Sequence, residues 1–114
     1  MGGYSRSRCR EWALQFLYQA EFAGDPRPEA VEQFWRHFQA EGGVPAYLKE
    51  LVSGVAAHLE ELDAFIVRYS EHWRLERMVA VDRNLLRLAA YELLCQPKIP
   101  VKVVINEAVE LAKK

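Results

Sequence analysis

The hydrophobic residues in the last third of the chain recur at helical spacing in two segments, which are separated by the proline-bounded break QPKIP. The first segment places Leu85, Leu86, Leu88, Ala89, Ala90, Leu93 and Leu94 on a broad apolar side, opposite Arg83, Asn84, Arg87 and Tyr91. The second segment places Val101, Val104, Ile105, Ala108, Leu111 and Ala112 on its apolar face. A mostly buried helix followed by an amphipathic one, packed as a hairpin, is therefore expected.

Glu92 interrupts the first of these segments, because helical spacing places it between Leu85 and Leu88 on the side that should be buried. A buried carboxylate needs hydrogen-bond partners. The sequence suggests the free backbone N–H groups at the start of the next helix, around residues 101–103. A structural role is favoured over a catalytic one, since no second carboxylate or histidine is placed to work with Glu92.

Helical spacing also predicts the earlier elements of the chain. These are a first helix from about Arg6 to Phe22, a second over 28–41, a third stretch from Pro45 to Tyr69 or Ser70 that divides near His58 to Glu60, and a short turn over 74–78. The predicted fold is an all-α helical bundle in one domain, with an N-terminal subdomain of about residues 1–58 and a C-terminal subdomain of about 60–114.

Composition indicates a soluble globular domain and gives no sign of a membrane protein or a metal site. The chain has 114 residues, of which 51% are hydrophobic and 27% charged, as is usual for a soluble globular domain. Its sequence contains no apolar run long enough to cross a membrane and no signal peptide, so a cytoplasmic location is expected. Cys9 and Cys95 lack metal-ligand spacing and are predicted to be reduced thiols, and the three histidines form no ligand pair. No metal, cofactor or membrane partner is expected.

The net charge is −1, so a nucleic-acid site would have to come from local clustering. Arg6, Arg8 and Arg10 supply such a cluster at the start of the first helix. The i, i+4, i+8 spacing of Arg10, Leu14 and Tyr18 predicts a second stripe away from the centre of the apolar face. Guanidinium groups bind phosphate oxygens and an exposed ring can stack on an unpaired base. Three arginines at a helix start are also typical of a solvated helix end, so both interpretations stay open.

Three ordered strings carry a resemblance to a known family. RSRCREWALQFLYQAEF near the start, and VDRNLLRLAAYELL and IPVKVVINEAVELAKK near the end, resemble the NusB family of bacterial transcription antitermination factors. The resemblance implies a non-enzymatic, all-helical protein that binds single-stranded boxA RNA. It also implies pairing with the small-subunit ribosomal protein that acts as NusE, within an RNA polymerase antitermination complex.

The resemblance also assigns roles to particular positions. The implied RNA-binding residues are Arg6, Arg8, Arg10, Tyr18, Tyr69 and Lys113, and the implied partner-binding residues are Tyr18 and Asp82. Simpler interpretations exist for three of them. Tyr69 also fits a core position with its hydroxyl at the surface, Asp82 also fits a carboxylate that offsets a helix dipole, and Lys113 also fits a solvated face.

Relatives in the family continue with a further amphipathic segment that ends in a FVNGVLD-like helix. If the chain is complete at Lys114, the apolar face ending at Leu111 and Ala112 lacks part of its cover, and such patches favour marginal stability or self-association, here a homodimer.

Two alternative functions remain open from the sequence. One is the N-terminal RNA-binding domain of an rRNA cytosine methyltransferase, although no Gly-rich βα turn for S-adenosylmethionine is present. The other is a helical protein-interaction module without an RNA role.

Overall fold

The computed structural model describes residues 5–24, 27–38, 42–69 and 77–113, with the side chains of Phe38 and Tyr69 outside the description. Its helices are α1 (Arg6–Ala23), α2 (Ala30–Phe38), α3 (Ala46–Ala57), α4 (Leu59–Tyr69), α5 (Ala80–Cys95) and α6 (Val101–Ala112). Within these ranges there is no strand, which confirms the all-α prediction. The predicted division near His58 is also confirmed, because α3 ends and α4 begins on either side of it. The predicted turn over 74–78 and the end of the second helix at 41 lie mostly outside the described residues.

Both ends of α1 are fixed by local hydrogen bonds. At the start, the Ser5 hydroxyl accepts a hydrogen bond from the backbone N–H of Arg8 at 3.1 Å. At the end, Gly24 adopts a left-handed conformation with φ 72°, and its N–H donates to the carbonyl of Ala20. The arginine-rich start of the chain is therefore helical from Arg6 onward.

Helix α5 lies at the centre of the fold, where it packs against α1, α3, α4 and α6, and α1 also packs against α3. Buried residues from α1 to α5 form one hydrophobic core. Two edge-to-face aromatic pairs attach α2 to α1, Trp12 with Trp35 at 4.9 Å and Phe16 with Phe34 at 5.5 Å between ring centroids. This core crosses the expected boundary between the two subdomains, and the division into subdomains stays a prediction.

The predicted polar side of α5 is wrong for two residues. Asn84 and Tyr91 are only 2% and 6% exposed. Because neighbouring helices enclose α5 on that side too, both side chains are buried with hydrogen bonds. The Asn84 amide donates to the Ala80 carbonyl at 2.9 Å, and the Tyr91 hydroxyl accepts from the Gln96 amide at 3.1 Å. By contrast Leu94, predicted to be buried, is 49% exposed.

Helix α6 buries less of its apolar face than expected. Of its residues only Val104 is buried, while Ala108 and Leu111 are half-buried. Val101, Ile105 and Val109 are exposed and lie one turn apart, so they form a continuous apolar surface, here called the α6 strip. The predicted face was therefore correct in its spacing but wrong in the burial of Val101 and Ile105.

Four charged side chains connect α1, α4 and α5. Arg87 of α5 makes a two-pronged ion pair with Asp63 of α4, at 2.7 and 2.9 Å. Arg83 of α5 hydrogen-bonds Glu21 near the end of α1, and Arg87 lies 3.6 Å from the same carboxylate. The hydrogen bond from Arg83 lowers the pKa of Glu21, which shows that the folded state favours the ionised carboxylate.

Replacing Gly54 tests the close approach of α3 to α5. A Cβ at this position would lie inside the van der Waals contact distance of the Tyr91 ring, which is buried. Although alanine favours helix, we expect Gly54→Ala to lower the free energy of unfolding by about 1–2 kcal/mol in urea denaturation, because overpacking outweighs propensity. Gly43→Ala is the matched control, since its added Cβ meets open space, and we expect a change within about 0.5 kcal/mol. Equal effects would contradict the close approach.

The Glu21 ion pairs predict a specific pH dependence of stability. Because the folded-state pKa of Glu21 is lowered, the stabilisation is fully present above the ordinary carboxyl value of 4.5 and is lost as the pH falls through the lower folded pKa. We expect Glu21→Gln to be less stable than the parent near neutral pH and to approach it in acid. Thermal unfolding at several pH values measures this, with Glu29→Gln as the control for loss of one exposed charge. A stability difference that does not depend on pH would be inconsistent with the ion pairs.

Candidate nucleic-acid interface

Two of the three clustered arginines lie exposed at the start of α1, each over an aromatic ring. The guanidinium carbon of Arg6 is 4.9 Å from the ring centroid of Tyr47 in α3. That of Arg8 is 4.9 Å from the ring centroid of Trp12, one turn further along α1. At these distances a guanidinium is attracted to the face of the ring. The start of α1 therefore presents two positive charges that rest on aromatic side chains.

Arg10 occupies a different environment, because it lies away from the centre of the apolar face, as its spacing predicts, and yet is buried. It is 4% exposed, and its Nε donates to both carboxylate oxygens of Glu92 at 2.9 Å. Its Nη1 lies 3.1 Å from Glu107 of α6. Arg10 falls on the edge of α1 that meets α5 and α6, so it is buried with two carboxylates and is not available to a ligand at the surface.

Glu92 is buried as predicted, with 2% of its surface exposed, but the predicted partners are wrong. Its carboxylate accepts hydrogen bonds from Arg10 and from the Tyr47 hydroxyl, and not from the backbone at the start of α6. Burial, and then the hydrogen bond to Glu92, raise the pKa of Tyr47, so this hydroxyl stays protonated and remains a donor. The buried carboxylate is thus held by side chains from two other helices.

The Arg10 cluster comprises Ser7, Arg10, Tyr47, Glu92 and Glu107. The Ser7 hydroxyl completes it by donating to Glu107 at 2.6 Å. These residues come from α1, α3, α5 and α6, so the Arg10 cluster links α1 to α6 through side chains of α3 and α5.

The remaining predicted site residues are spread over several elements. Tyr18 is 37% exposed and makes an edge-to-face contact with Phe22, which is 72% exposed, at 4.9 Å between centroids. Asp82 is exposed in the first turn of α5. Lys113 is exposed and lies 3.5 Å from Glu110, a solvated ion pair of little energetic weight. Tyr69 is the last residue of α4, and its side chain lies outside the described residues.

Three of the predicted residues, Arg6, Arg8 and Tyr18, lie exposed on α1 and mark two separate regions along it. The arginine end, defined as Arg6, Arg8 and Tyr47, lies at the helix start. The aromatic end, defined as Tyr18 and Phe22, begins twelve residues after Arg6, roughly 18 Å away at 1.5 Å per residue. Asp82 lies on α5, next in sequence to Arg83, which hydrogen-bonds Glu21 of α1.

Two residues of these regions were not predicted from the sequence. Phe22 was recognised only as the end of the first helix, although its position one turn after Tyr18 indicates a shared face. Tyr47 carries no local signal, since its contacts to Arg6, Arg10 and Glu92 depend on packing between helices distant in sequence.

Other kinds of site find little support in the described part of the chain. Among these residues there is no group of three or more His, Cys, Asp or Glu side chains that could hold a metal ion. The helices described are also too short or too polar to cross a membrane. Cys9 and Cys95 are both free, in agreement with the predicted thiols, and burial raises the pKa of each.

Replacing Glu92 tests the Arg10 cluster. Glu92→Gln keeps the shape but leaves the buried guanidinium with only the more exposed carboxylate of Glu107 as a negative partner, so we expect the free energy of unfolding to fall by about 3 kcal/mol. Chemical denaturation measures this loss.

Glu107→Gln is the matched control, because it removes the other carboxylate that faces Arg10. The side chain of Glu107 is 28% exposed. We expect it to cost about 1 kcal/mol or less. Equal losses for the two variants would contradict a central role for the buried pair.

Comparison with known proteins identifies the family. A model described as the NusB family matches residues 7–114. Among similar proteins, the transcription antitermination protein NusB of Sorangium cellulosum is 47% identical over 110 residues, covering 96% of this chain and 79% of that protein. The protein of the same name from Anaeromyxobacter dehalogenans is 50% identical over 110 residues, covering 96% and 77%. The structure of T. maritima NusB superimposes with a TM-score of 0.80 at 37% identity, covering 98% of this chain and 79% of that one. This chain belongs to the NusB family.

Proposed function

We propose that this chain is a non-enzymatic transcription antitermination factor of the cytoplasm. In this role it binds single-stranded boxA RNA together with the ribosomal protein that acts as NusE, within an RNA polymerase antitermination complex. Similar proteins carry the name transcription antitermination protein NusB, which supports the general role. The arginine end of α1 supports the RNA-binding step.

The observation that carries the RNA-binding proposal is the pair of exposed guanidinium groups of Arg6 and Arg8. The chain has no overall positive charge, so binding to a polyanion has to come from such a local group. Guanidinium groups donate paired hydrogen bonds to phosphate oxygens. Arg10 contributes differently from its neighbours, because its charge is already neutralised by Glu92 and it holds the helix that carries the other two.

The aromatic end supports the proposed contact with the protein partner. Tyr18 and Phe22 present exposed rings side by side, and aromatic side chains are enriched in the cores of protein interfaces. Asp82 lies exposed in the first turn of α5 and offers a negative charge to a basic partner. This region lies about three helical turns from the arginine end, so the partner protein would bind a different part of α1 from the phosphates at Arg6 and Arg8, and Tyr18 is the position assigned to both ligands.

The remaining proposed contacts have less support. Lys113 is exposed near the end of α6 but lies beside Glu110, which weakens its attraction for phosphate. A role for Tyr69 in RNA binding and the formation of a homodimer both stay predictions. For a homodimer, the α6 strip supplies an apolar surface.

Fluorescence anisotropy of a boxA-containing RNA tests the proposed function. Titrations are made with and without NusE, over a salt series, and beside a scrambled RNA. We expect NusE to tighten binding to boxA, typically by about 5- to 150-fold, and to be tightened reciprocally by the RNA. Arg6→Ala with Arg8→Ala should weaken binding and reduce the salt slope by about 0.7 for each lost phosphate contact on a single strand.

The matched control removes two exposed charges elsewhere, by Arg36→Ala with Arg77→Ala, and should change the affinity much less. Equal affinity for boxA and scrambled RNA in the presence of NusE would contradict the proposed function. Tight binding of NusE with no effect of the arginine substitutions on RNA would instead favour a helical module that contacts protein alone.

A further inference from the structure

Tyr47 lies between an exposed arginine and the buried ion pair. Its ring faces the guanidinium of Arg6 at 4.9 Å, and the guanidinium of Arg10 lies 6.0 Å from the same centroid. Its hydroxyl donates to the buried carboxylate of Glu92. One side chain of α3 therefore contacts both an exposed and a buried arginine of α1.

The ring of Tyr47 is held in place at its far end. Glu92, the acceptor of its hydroxyl, is itself fixed by the two hydrogen bonds from Arg10, each 2.9 Å long. Leu48, the next residue of α3, is fully buried in the core. Arg6, by contrast, is the first residue of α1 and is exposed, so without an aromatic neighbour its long side chain would sample many rotamers.

We propose that Tyr47 is a positioning residue for RNA binding, because its ring holds the Arg6 guanidinium over α3 while its hydroxyl bond to Glu92 keeps the ring in place. This inference rests on the RNA-binding role proposed above. It adds a residue of α3 that acts on RNA binding through Arg6 and is not itself proposed to contact the RNA.

The advantage of this arrangement is preorganisation. A planar guanidinium can lie against an aromatic face and still direct N–H groups from its edge toward phosphate oxygens. Since the side chain is ordered before the RNA arrives, less conformational entropy is lost on binding. Arg8 rests on Trp12 in the same way, but Trp12 is 3% exposed and packs on Trp35, so replacing it would damage the core. Tyr47 is half-buried and is the better position for a test.

A double-mutant cycle between Arg6 and Tyr47 provides that test. Tyr47→Leu removes the ring and should weaken binding of boxA RNA in the presence of NusE by roughly two- to tenfold. In the Arg6→Ala background the same substitution should change the affinity by less than about twofold, because the side chain that it positions is absent. Tyr47→Phe keeps the ring but loses the hydroxyl bond to Glu92, so it should recover only part of the affinity that Tyr47→Leu loses.

A second measurement needs no RNA. Nuclear magnetic relaxation of the Arg6 Nε–H group in the free protein reports how restricted the guanidinium is. We expect it to be most ordered in the parent, less ordered in Tyr47→Phe, which keeps the ring without its bond to Glu92, and most mobile in Tyr47→Leu. Circular dichroism and denaturation confirm that each variant is folded at the temperature used.

Each outcome decides one question. Equal weakening by Tyr47→Leu in both backgrounds would mean that Tyr47 acts through the fold, and would overturn the inference. So would an Arg6 Nε–H group whose mobility does not depend on the ring at position 47. If the parent chain shows no preference for boxA, the proposed function itself fails, whereas a parent that binds boxA with additive effects of the two substitutions rejects only the positioning role.

Discussion

The buried ion pair between Arg10 and Glu92 is the interaction on which the arrangement of the helices depends. Taking two charges out of water is costly, and the cost is recovered only if the pair is well formed and its remaining hydrogen bonds are satisfied. Glu92 meets this condition through both of its oxygens, whereas the buried Nη2 of Arg10 has no hydrogen-bond partner among the described residues. The pair joins α1 to α5, so it places the edge of α1 that carries Arg10 against α5, while Arg6 and Arg8 stay exposed.

The elements of the fold were predictable because helical spacing is a local property of the sequence. The six helices of the described ranges and the division at His58 follow from the recurrence of apolar residues and from proline and glycine between them. Burial of polar residues was not predictable in the same way. Asn84 and Tyr91 lie on the polar side of α5 but are covered, since α5 has neighbours around most of its circumference. Spacing shows which residues share a face, and only packing shows which faces are enclosed.

The candidate site was likewise predictable in its residue types but not in which of those residues are buried. Clustering in the sequence identified Arg6 and Arg8, which are exposed as an RNA-binding surface requires. Arg10 is also an arginine and belongs to the same cluster in the sequence. It lies at the edge of the apolar face, however, where its side chain pairs with the carboxylate of Glu92. A single sequence does not distinguish a solvated arginine from a buried one, because the difference lies in a partner far along the chain. Tyr47 escaped prediction for the same reason.

Helix α1 also sets a distance. Its eighteen residues form a rod about 27 Å long, capped at both ends and attached to the core along its length. Arg6 at the arginine end and Tyr18 at the aromatic end therefore lie about 18 Å apart on one continuous helix. If α1 keeps this shape when ligands bind, cooperation between a ligand at each end comes from contacts that the two ligands make with each other. A ligand at one end that is too short to reach along α1 would then leave the affinity for the ligand at the other end unchanged.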